Sequence, residues 1–384
     1  MITRPSVSVI IPTYNRYKYL KGCLSSISSL SSDDLEVIVQ DNTEDNTEIL
    51  DYIRGLNDDR IKYYHIREHI CVSDNCDAAM SHASGKYICM IGDDDSICDT
   101  LVDAAKFCER EGIDAANYIV PGFNWPDMTF EGKKKEANLF FPQKADGIVS
   151  IINAKDELLK AMHSAVGLLG TMPRAYHGLV SKKLMDEIFS ITGSYFPGPS
   201  PDMGNATAVG LLSKKSAYIR DYLIVSGYGY TSARGEGRRN QHYGKLDEKP
   251  WLPKDILERW DKDIPPIFSG ETITADSLTE ALKRMHKEEL VKQYNYSALY
   301  AEFLFVHKNA FKQMMKFCFS SPSHLMRMIY GVLARIPKVI RYRMNPPSTA
   351  NFQEQSDVRE LADAQMLVMN LRGELQVSEL RMED

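Results

Sequence analysis

Three adjacent carboxylates, Asp93, Asp94 and Asp95, follow the apolar run Tyr87-Ile-Cys-Met-Ile91 with only Gly92 between. An apolar run of that length, bounded by a turn residue, predicts a buried strand. Carboxylates set this close repel one another unless a cation neutralises them. Hard oxygen donors suit Mg2+ or Mn2+, ions that bridge to substrate phosphates. The chemistry indicated is the handling of a nucleotide or diphosphate through a divalent ion held by Asp94 and Asp95. A plainer alternative is a solvated acidic turn in which Asp95 or Ser96 caps the following helix.

Polar clusters close two earlier apolar runs as well. Val7-Ser-Val-Ile-Ile11 leads into Pro12, Thr13, Tyr14, Asn15 and Arg16, and Leu35-Glu-Val-Ile-Val-Gln40 leads into Asp41, Asn42 and Thr43. In an open α/β sheet, ligands bind beyond the carboxyl ends of the strands, so the three ends can meet on one edge. There Asp41 could accept a hydrogen bond from a base N–H, and the Tyr14 ring could lie along the base. The alternatives are an ordinary helix start at Thr13-Tyr14 and an Asx-type turn at Asp41.

The elements that must position these residues alternate in type. Leu20, Leu24 and Ile27 recur at helical spacing, Asn46–Leu56 and Ser73–Ala83 read as helices, and Ile61–His65 reads as a strand. Strands alternating with helices predict a mostly parallel sheet covered on both faces. Asp99–Glu111 predicts a further helix and Ala115–Val120 a strand. Residues 121–150, with Lys133-Lys134-Lys135, read as a charged surface insertion. Ala175–Ser181 reads as a strand with His177 in its middle as a hydrogen-bonded core histidine, and Asp202–Ser213 reads as a helix.

The quoted segments Val9–Asn15, Glu36–Asn42 and Gly85–Asp95 resemble, in order and spacing, the three hallmark segments of the family-2 glycosyltransferases. The resemblance covers residues 6 to 115 and loosens toward 235. It implies an α/β GT-A fold, a Rossmann-like sheet with helices on both faces, followed here by a C-terminal helical extension. It also implies an inverting, metal-dependent transfer from a nucleotide-diphosphate-sugar, with UDP-sugar as the donor class and Mn2+ or Mg2+ as cofactor. Carried over by position, Pro12, Thr13, Tyr14, Asn15, Asp41, Asn75, Asp93 and Asp94 bind the nucleotide-sugar. Asp93 to Asp95 match the metal-binding aspartate motif, with Gly92 where members more often have the first acid. This leaves Asp94 or Asp95 as the direct ligand. An acceptor hydroxyl needs a base to take its proton. Asp202, after the loop Phe196–Pro201, matches the base position, with Asp186, Asp221 and Glu236 as substitutes. The loop Gly227–Arg239, with Arg234, Arg238 and Arg239, has the makings of a lid over phosphates.

Composition narrows the setting. The chain has 384 residues, 43% hydrophobic and 26% charged, with a formal net charge of −6, which argues against general nucleic-acid binding. Its seven cysteines form no CxxC pair and read as reduced thiols of a cytoplasmic protein. The start, Met-Ile-Thr-Arg-Pro-Ser, reads as no signal peptide, and no run of apolar residues is long enough to span a bilayer. From Phe303 to Gln353 there is no Asp or Glu, while Lys308, Lys312, Lys316, Arg327, Arg335, Lys338, Arg341 and Arg343 interleave with apolar residues. That pattern suggests an anionic membrane surface at the inner face of the cell membrane, and taken with the family resemblance it implies a lipid-linked glycan acceptor in bacterial surface-polysaccharide synthesis. The expected organisation has a GT-A domain over 1–245, divided into a donor half (1–115) and an acceptor half (116–245). A basic amphipathic extension follows over 246–350, then a polar helical or disordered tail over 351–384, where Leu361, Val368 and Leu375 recur every seven residues.

Two other enzyme classes fit less well. A nucleotidyltransferase needs a glycine-rich loop after the first strand, and a haloacid-type phosphatase needs an Asp there; Pro12-Thr-Tyr-Asn15 supplies neither. A non-catalytic sugar-nucleotide-binding or membrane-docked scaffold remains the non-enzymatic alternative.

Overall fold

Alternation along the first strands builds both faces of a sheet. In β1 (Val7–Thr13), Val7, Val9 and Ile11 point to one core and Ile10 to another. In β2 (Leu35–Asp41), Val37 and Val39 join the first core and Ile38 the second. Side chains on a strand alternate faces, so near-continuous apolar strands need cover on both sides. The computed structural model describes residues 4–130, 133–134, 137–165, 170–239, 242–344, 351–376 and 379–383.

The first elements are β1, α1 (Tyr17–Ser28), β2, α2 (Thr47–Leu56), β3 (Ile61–His65), α3 (Val72–Ser81) and β4 (Tyr87–Met90). After them come β5 (Ser96–Ile97), α4 (Thr100–Glu111), β6 (Ala115–Ile119) and β7 (Gly122–Asn124). The main sheet has nine strands in the order Arg381–Met382, Ile148–Ile152, Ser216–Tyr222, β6, Gly178–Ser181, β4, β1, β2, β3. It is mostly parallel; the strand Gly178–Ser181 is antiparallel to both its neighbours. Helices α1 and α4 cover one face. On the other face lie α3, α6 (Lys182–Thr192) and α7 (Pro201–Leu212). This is the α/β fold that the strand–helix alternation predicts.

Residues 121–150 depart from the surface insertion expected of them. A second, five-stranded sheet runs Gln353–Ser356, Asn138–Phe141, β7, Ile224–Tyr228, β5. Phe123, Leu139 and Phe141 are fully buried in it. Lys133–Lys134 pairs with Thr129–Phe130 in a separate two-stranded hairpin. The strand expected over 175–181 begins at Gly178, because His177 has a left-handed φ of 53° that breaks the extended backbone.

The C-terminal tail folds back onto the first core. Helix Leu361–Glu374 buries Leu361, Ala364, Val368 and Leu371 against it. Gln365 and Arg372, which interrupt the heptad spacing, are its polar anchors. Gln365 Nε2 donates to the Ile97 carbonyl at 2.5 Å, and Arg372 Nε donates to both oxygens of the fully buried Asp221 at 3.0 and 2.9 Å.

A third core joins the helical extension to the α/β body. Leu158 and Met162 of α5 (Ala154–Ser164) and Met203 and Ala206 of α7 pack with Leu278, Leu299, Phe303 and Met314. Among the described residues, no helix is long and apolar enough to cross a membrane.

Candidate active site

The carboxyl ends of β1, β2 and β4 lie together: Thr13 pairs with Asp41 in register, and Ile10 with Met90. Thr13 Oγ1 donates to Asp93 Oδ2 at 2.7 Å and ties the first end to the acidic run. Above them opens a cavity of about 510 Å3. Pro12, Thr13, Tyr14, Arg16, Asn42, Asn75, Asp93 and Asp94 form its inner wall. The opposite wall comes from Tyr176, Ser226–Tyr228, Thr231–Arg234, Glu236, His242 and Trp251.

Arg16 sits across the two cavity carboxylates. Its Nε is 3.0 Å from Asp93 Oδ1 and its Nη2 is 2.7 Å from Asp94 Oδ2. Burial opposes the Arg16 charge, but Asp93 and Asp94 more than offset it, so its pKa stands above the usual guanidinium value. Burial pushes the Asp94 carboxyl up to about 7; Arg16 pulls it down, and Asp95 and Asp93 push it up. Asp93 is likewise raised, chiefly by burial. Gly229 N donates to Asp94 Oδ2 at 3.2 Å, and Trp125 Nε1 to the Asp94 carbonyl at 3.1 Å. Gly227 must be glycine, since a Cβ there would fall 1.7 Å from that same carbonyl oxygen.

Asp95 departs from the expected role of metal ligand. It is 1% exposed, does not line the cavity, and has both oxygens engaged. Oδ2 accepts from Gly92 N and meets His177 Nε2, each at 2.6 Å, and Oδ1 accepts from Gly227 N at 2.7 Å. His177 is thus the hydrogen-bonded core histidine the sequence suggested. The reason is the turn: successive residues of Asp93-Asp94-Asp95 point in different directions, so the pair on the cavity is Asp93 and Asp94. Among the described residues, no group of three or more His, Cys, Asp or Glu is placed to hold a metal. Two cavity carboxylates still suit an ion whose remaining ligands are water and substrate phosphates.

Asp41 also departs from its expected place. It is fully buried behind the wall; Tyr17 and Tyr63 hydroxyls donate to Oδ2 at 2.7 Å each, and Thr43 N to Oδ1 at 2.8 Å. It holds the β2 turn, and the next residue reaches the cavity instead. Asn42 Oδ1 accepts from Ile70 N at 3.0 Å, fixing the loop that carries His69. The Tyr14 ring, 41% exposed, stacks on His69 with centroids 5.1 Å apart and planes 19° off parallel. Asn15 has a left-handed φ of 56°, donates from N to Thr43 Oγ1 at 2.8 Å, and faces outside the cavity. Asn75 Nδ2 donates to the Thr13 carbonyl at 3.3 Å; its Oδ1 is buried without a hydrogen-bond partner among the described residues.

Asp202 is the second residue of α7, after the N-cap Ser200 and Pro201. Its Oδ1 accepts from Ser200 Oγ, and from Met203 N at 2.9 Å. It does not line the cavity; the cavity-lining Tyr176 has its hydroxyl pKa raised by burial first, then by the charges of Asp95, Asp94 and Asp202. Of the substitutes, Asp221 is bound to Arg372, and Asp186 pairs with Lys182 on the surface. Glu236 does line the cavity, with Oε2 3.3 Å from His242 Nδ1.

The expected lid is the short helix α8 (Ala233–Arg238), capped by Ser232, whose side chain accepts from Gly235 N. The Arg234 guanidinium lies 4.0 Å from the Tyr228 ring centre on the cavity wall. Arg239 stacks on Tyr230 at 3.7 Å, and the Arg238 side chain lies outside the described residues. His69, Tyr176, His242 and Trp251 escaped the sequence reading because they stand outside regular strands and helices, where no periodic pattern marks them. Arg16 had a signal, standing next to the Pro12–Asn15 segment.

Residues 8–167 match the family model described as glycosyl transferase family 2. Over 110 residues the chain is 35% identical to the GalNAc(5)-diNAcBac-PP-undecaprenol beta-1,3-glucosyltransferase of Campylobacter jejuni, covering 28% of this chain and 36% of that protein. It therefore spans about a third of that relative's length. It is 22% identical over 303 residues to glycosyltransferase GlyG of Streptococcus pneumoniae, covering 77% of this chain and 89% of that one. In fold it is similar to residues 1-349 of S. aureus TarS, solved in complex with UDP-GlcNAc, with a TM-score of 0.51 and 16% identity over 96% of this chain and 91% of that one. A strand-end cavity with two carboxylates, a family match across the elements that build it, and a neighbour of similar fold converge: residues 8–167 carry a glycosyl transferase family 2 domain, and the chain has the α/β GT-A fold.

Proposed function

We propose that the chain transfers a sugar, with inversion, from a nucleotide-diphosphate-sugar to a glycan acceptor in bacterial surface-polysaccharide synthesis. The observation that carries this reading is the cavity itself: Asp93 and Asp94 face it beside the Tyr14–His69 stack and the Arg234 guanidinium. A base can lie along the aromatic stack, and a diphosphate can meet the arginine. The UDP-GlcNAc complex of S. aureus TarS supports UDP as the nucleotide.

Asp94, with Asp93, would hold Mg2+ or Mn2+. The fit rests on the donor set: the two buried cavity carboxylates, Asp93 and Asp94, share one guanidinium, leaving negative charge that a hard cation neutralises. Such an ion supplies charge stabilisation to the departing diphosphate. The Asp202 carboxylate takes the acceptor hydroxyl proton. The acceptor oxygen bonds to the anomeric carbon as the bond to the diphosphate oxygen breaks. Thr13, Asn75 and Pro12 shape the donor side, while Asp41 and Asn15 hold the turn beneath it. In this division residues 1–115 form the donor half, 116–245 the acceptor half, and 246–350 the extension that meets the membrane. Seven free, buried thiols support a reducing cytoplasmic setting.

A second reading of the base favours Glu236, because it lines the cavity and Asp202 does not. Thermal shifts with UDP, GDP, CDP and dTDP, each with and without Mn2+, test the whole reading. A metal-dependent rise with one nucleotide is expected. No rise with any of them would move the chain to the non-catalytic scaffold alternative.

A further inference from the structure

The helix Pro322–Met344 presents two unlike faces. Its inner face lies on the helix Tyr296–Val306 at close range: a Cβ on Gly331 would fall 1.9 Å from the Ser297 carbonyl oxygen. Its outer face carries Met326, Ile329, Leu333, Ile336, Ile340 and Met344, spaced three or four apart and all exposed, Leu333 at 62% and Met344 at 74%. Residues at this spacing share one side of a helix. Phe305, Val306, Phe311 and Phe319, from the elements preceding this helix, are also apolar and each more than two-fifths exposed. Exposed apolar side chains aligned along one helix face mark an interaction surface.

Charge selects what covers it. No acidic residue occurs from 303 to 353. Arg327 and Arg335 are turned to the body, pairing with Asp263 and Glu302. Lys308, Lys312 and Lys316 are exposed next to the phenylalanines. A second copy on the same face would bring these cations against their own kind. An anionic bilayer accepts the apolar stripe and the cations together.

The surface also leads to the active site. A groove of about 430 Å3 runs from Val306, His307 and Lys308 to Tyr243 and His242. His242 lines the donor cavity as well. Tyr243 stacks on His307 with centroids 5.6 Å apart, and His307 Nε2 is 2.8 Å from Glu271 Oε2 on the groove wall.

We propose that the outer face of Pro322–Met344, with the segment 305–319, docks on an anionic phospholipid bilayer, and that this groove admits the headgroup of a lipid-linked acceptor to the donor cavity. The acceptor part rests on the transferase reading; the docking does not. The test is co-sedimentation of the full chain with phosphatidylglycerol vesicles, against phosphatidylcholine vesicles, for wild type and for Leu333→Glu/Ile336→Glu. Wild type should pellet with phosphatidylglycerol alone and release as salt rises. The double variant should bind those vesicles about tenfold or more weakly, while keeping the wild-type melting temperature and thermal shift with UDP. Wild type that ignores phosphatidylglycerol at low salt, or a double variant that pellets equally well, overturns the docking. So does a wild-type dimer that the double variant converts to monomer, with no vesicle binding by either. A missing UDP shift with intact vesicle binding would remove the acceptor path and leave the docking standing.

Discussion

The parallel strands and the last long helix treat apolar side chains in opposite ways. In β1, β2 and β4 every apolar residue is buried on one face or the other, and the polar residues gather at the strand ends. In Pro322–Met344 the apolar residues on the outer side face out, and the charges nearest the body are paired inward. The first arrangement makes a rigid edge on which carboxylates can be held close together despite their repulsion. The second leaves a surface whose stability comes from only one side. Chemistry belongs on the first kind of structure and recognition of a large partner on the second.

Substitutions can break or sharpen that contrast. The largest effect is expected at the strand edge: Asp94→Ala should lower transfer by about 10^2–10^3-fold or more, with loss of metal-dependent UDP binding by calorimetry. Unchanged UDP affinity in the presence of Mn2+ would remove Asp94 from the metal site. Asp202→Asn should lower turnover by about 10^2–10^4-fold with the UDP thermal shift intact. If Asp202→Asn is near normal and Glu236→Gln is not, the base belongs to helix α8.

Stability should respond next. Arg372→Ala leaves the fully buried Asp221 without its partner, and breaking such a pair costs about 3–5 kcal/mol. A denaturant midpoint equal to wild type would show that the C-terminal helix is not held by this pair. A pH-dependent effect lies in the helix Gly270–Arg284. There burial pushes the Asp276 carboxyl up to about 7 from 3.8, against a backbone hydrogen bond from Asp261. A carboxyl whose folded pKa is raised costs stability as pH climbs from its unfolded value to its folded one. Asp276→Asn should therefore melt above wild type at pH 8 and level with it near pH 4; a constant gap across that range would count against the burial argument. The smallest effect is expected at the outer face: Leu333→Ala should change stability by no more than about 0.5 kcal/mol, whereas Leu24→Ala in the first core should cost about 2–5 kcal/mol. Similar midpoints for the two would mean that the outer face is covered in solution.

Legibility followed the range of the interactions. The strand ends were readable because each cluster sits next to its own apolar run, and period-two burial is a local pattern. Which member of Asp93-Asp94-Asp95 faces ligand was not, because the direction depends on Gly227 and His177, 132 and 82 residues away in the chain. Asp41 read as a ligand residue but is held by Tyr17 and Tyr63 from two different elements. Residues 121–150 read as an insertion because their strands are short and their partners are distant, Ile224–Tyr228 and Gln353–Ser356.

By itself the sequence determined the alternation of strands and helices, the three polar strand ends, and the acid-free basic stretch after Phe303, since each is written in neighbouring residues. Only the tertiary structure decided which carboxylates share the cavity and that Arg16 bridges two of them. It also decided that Gln365 and Arg372 dock the last helix instead of breaking it, and which face of Pro322–Met344 is left bare. These are choices of direction, and a side chain's direction is set by what packs against it from elsewhere in the chain.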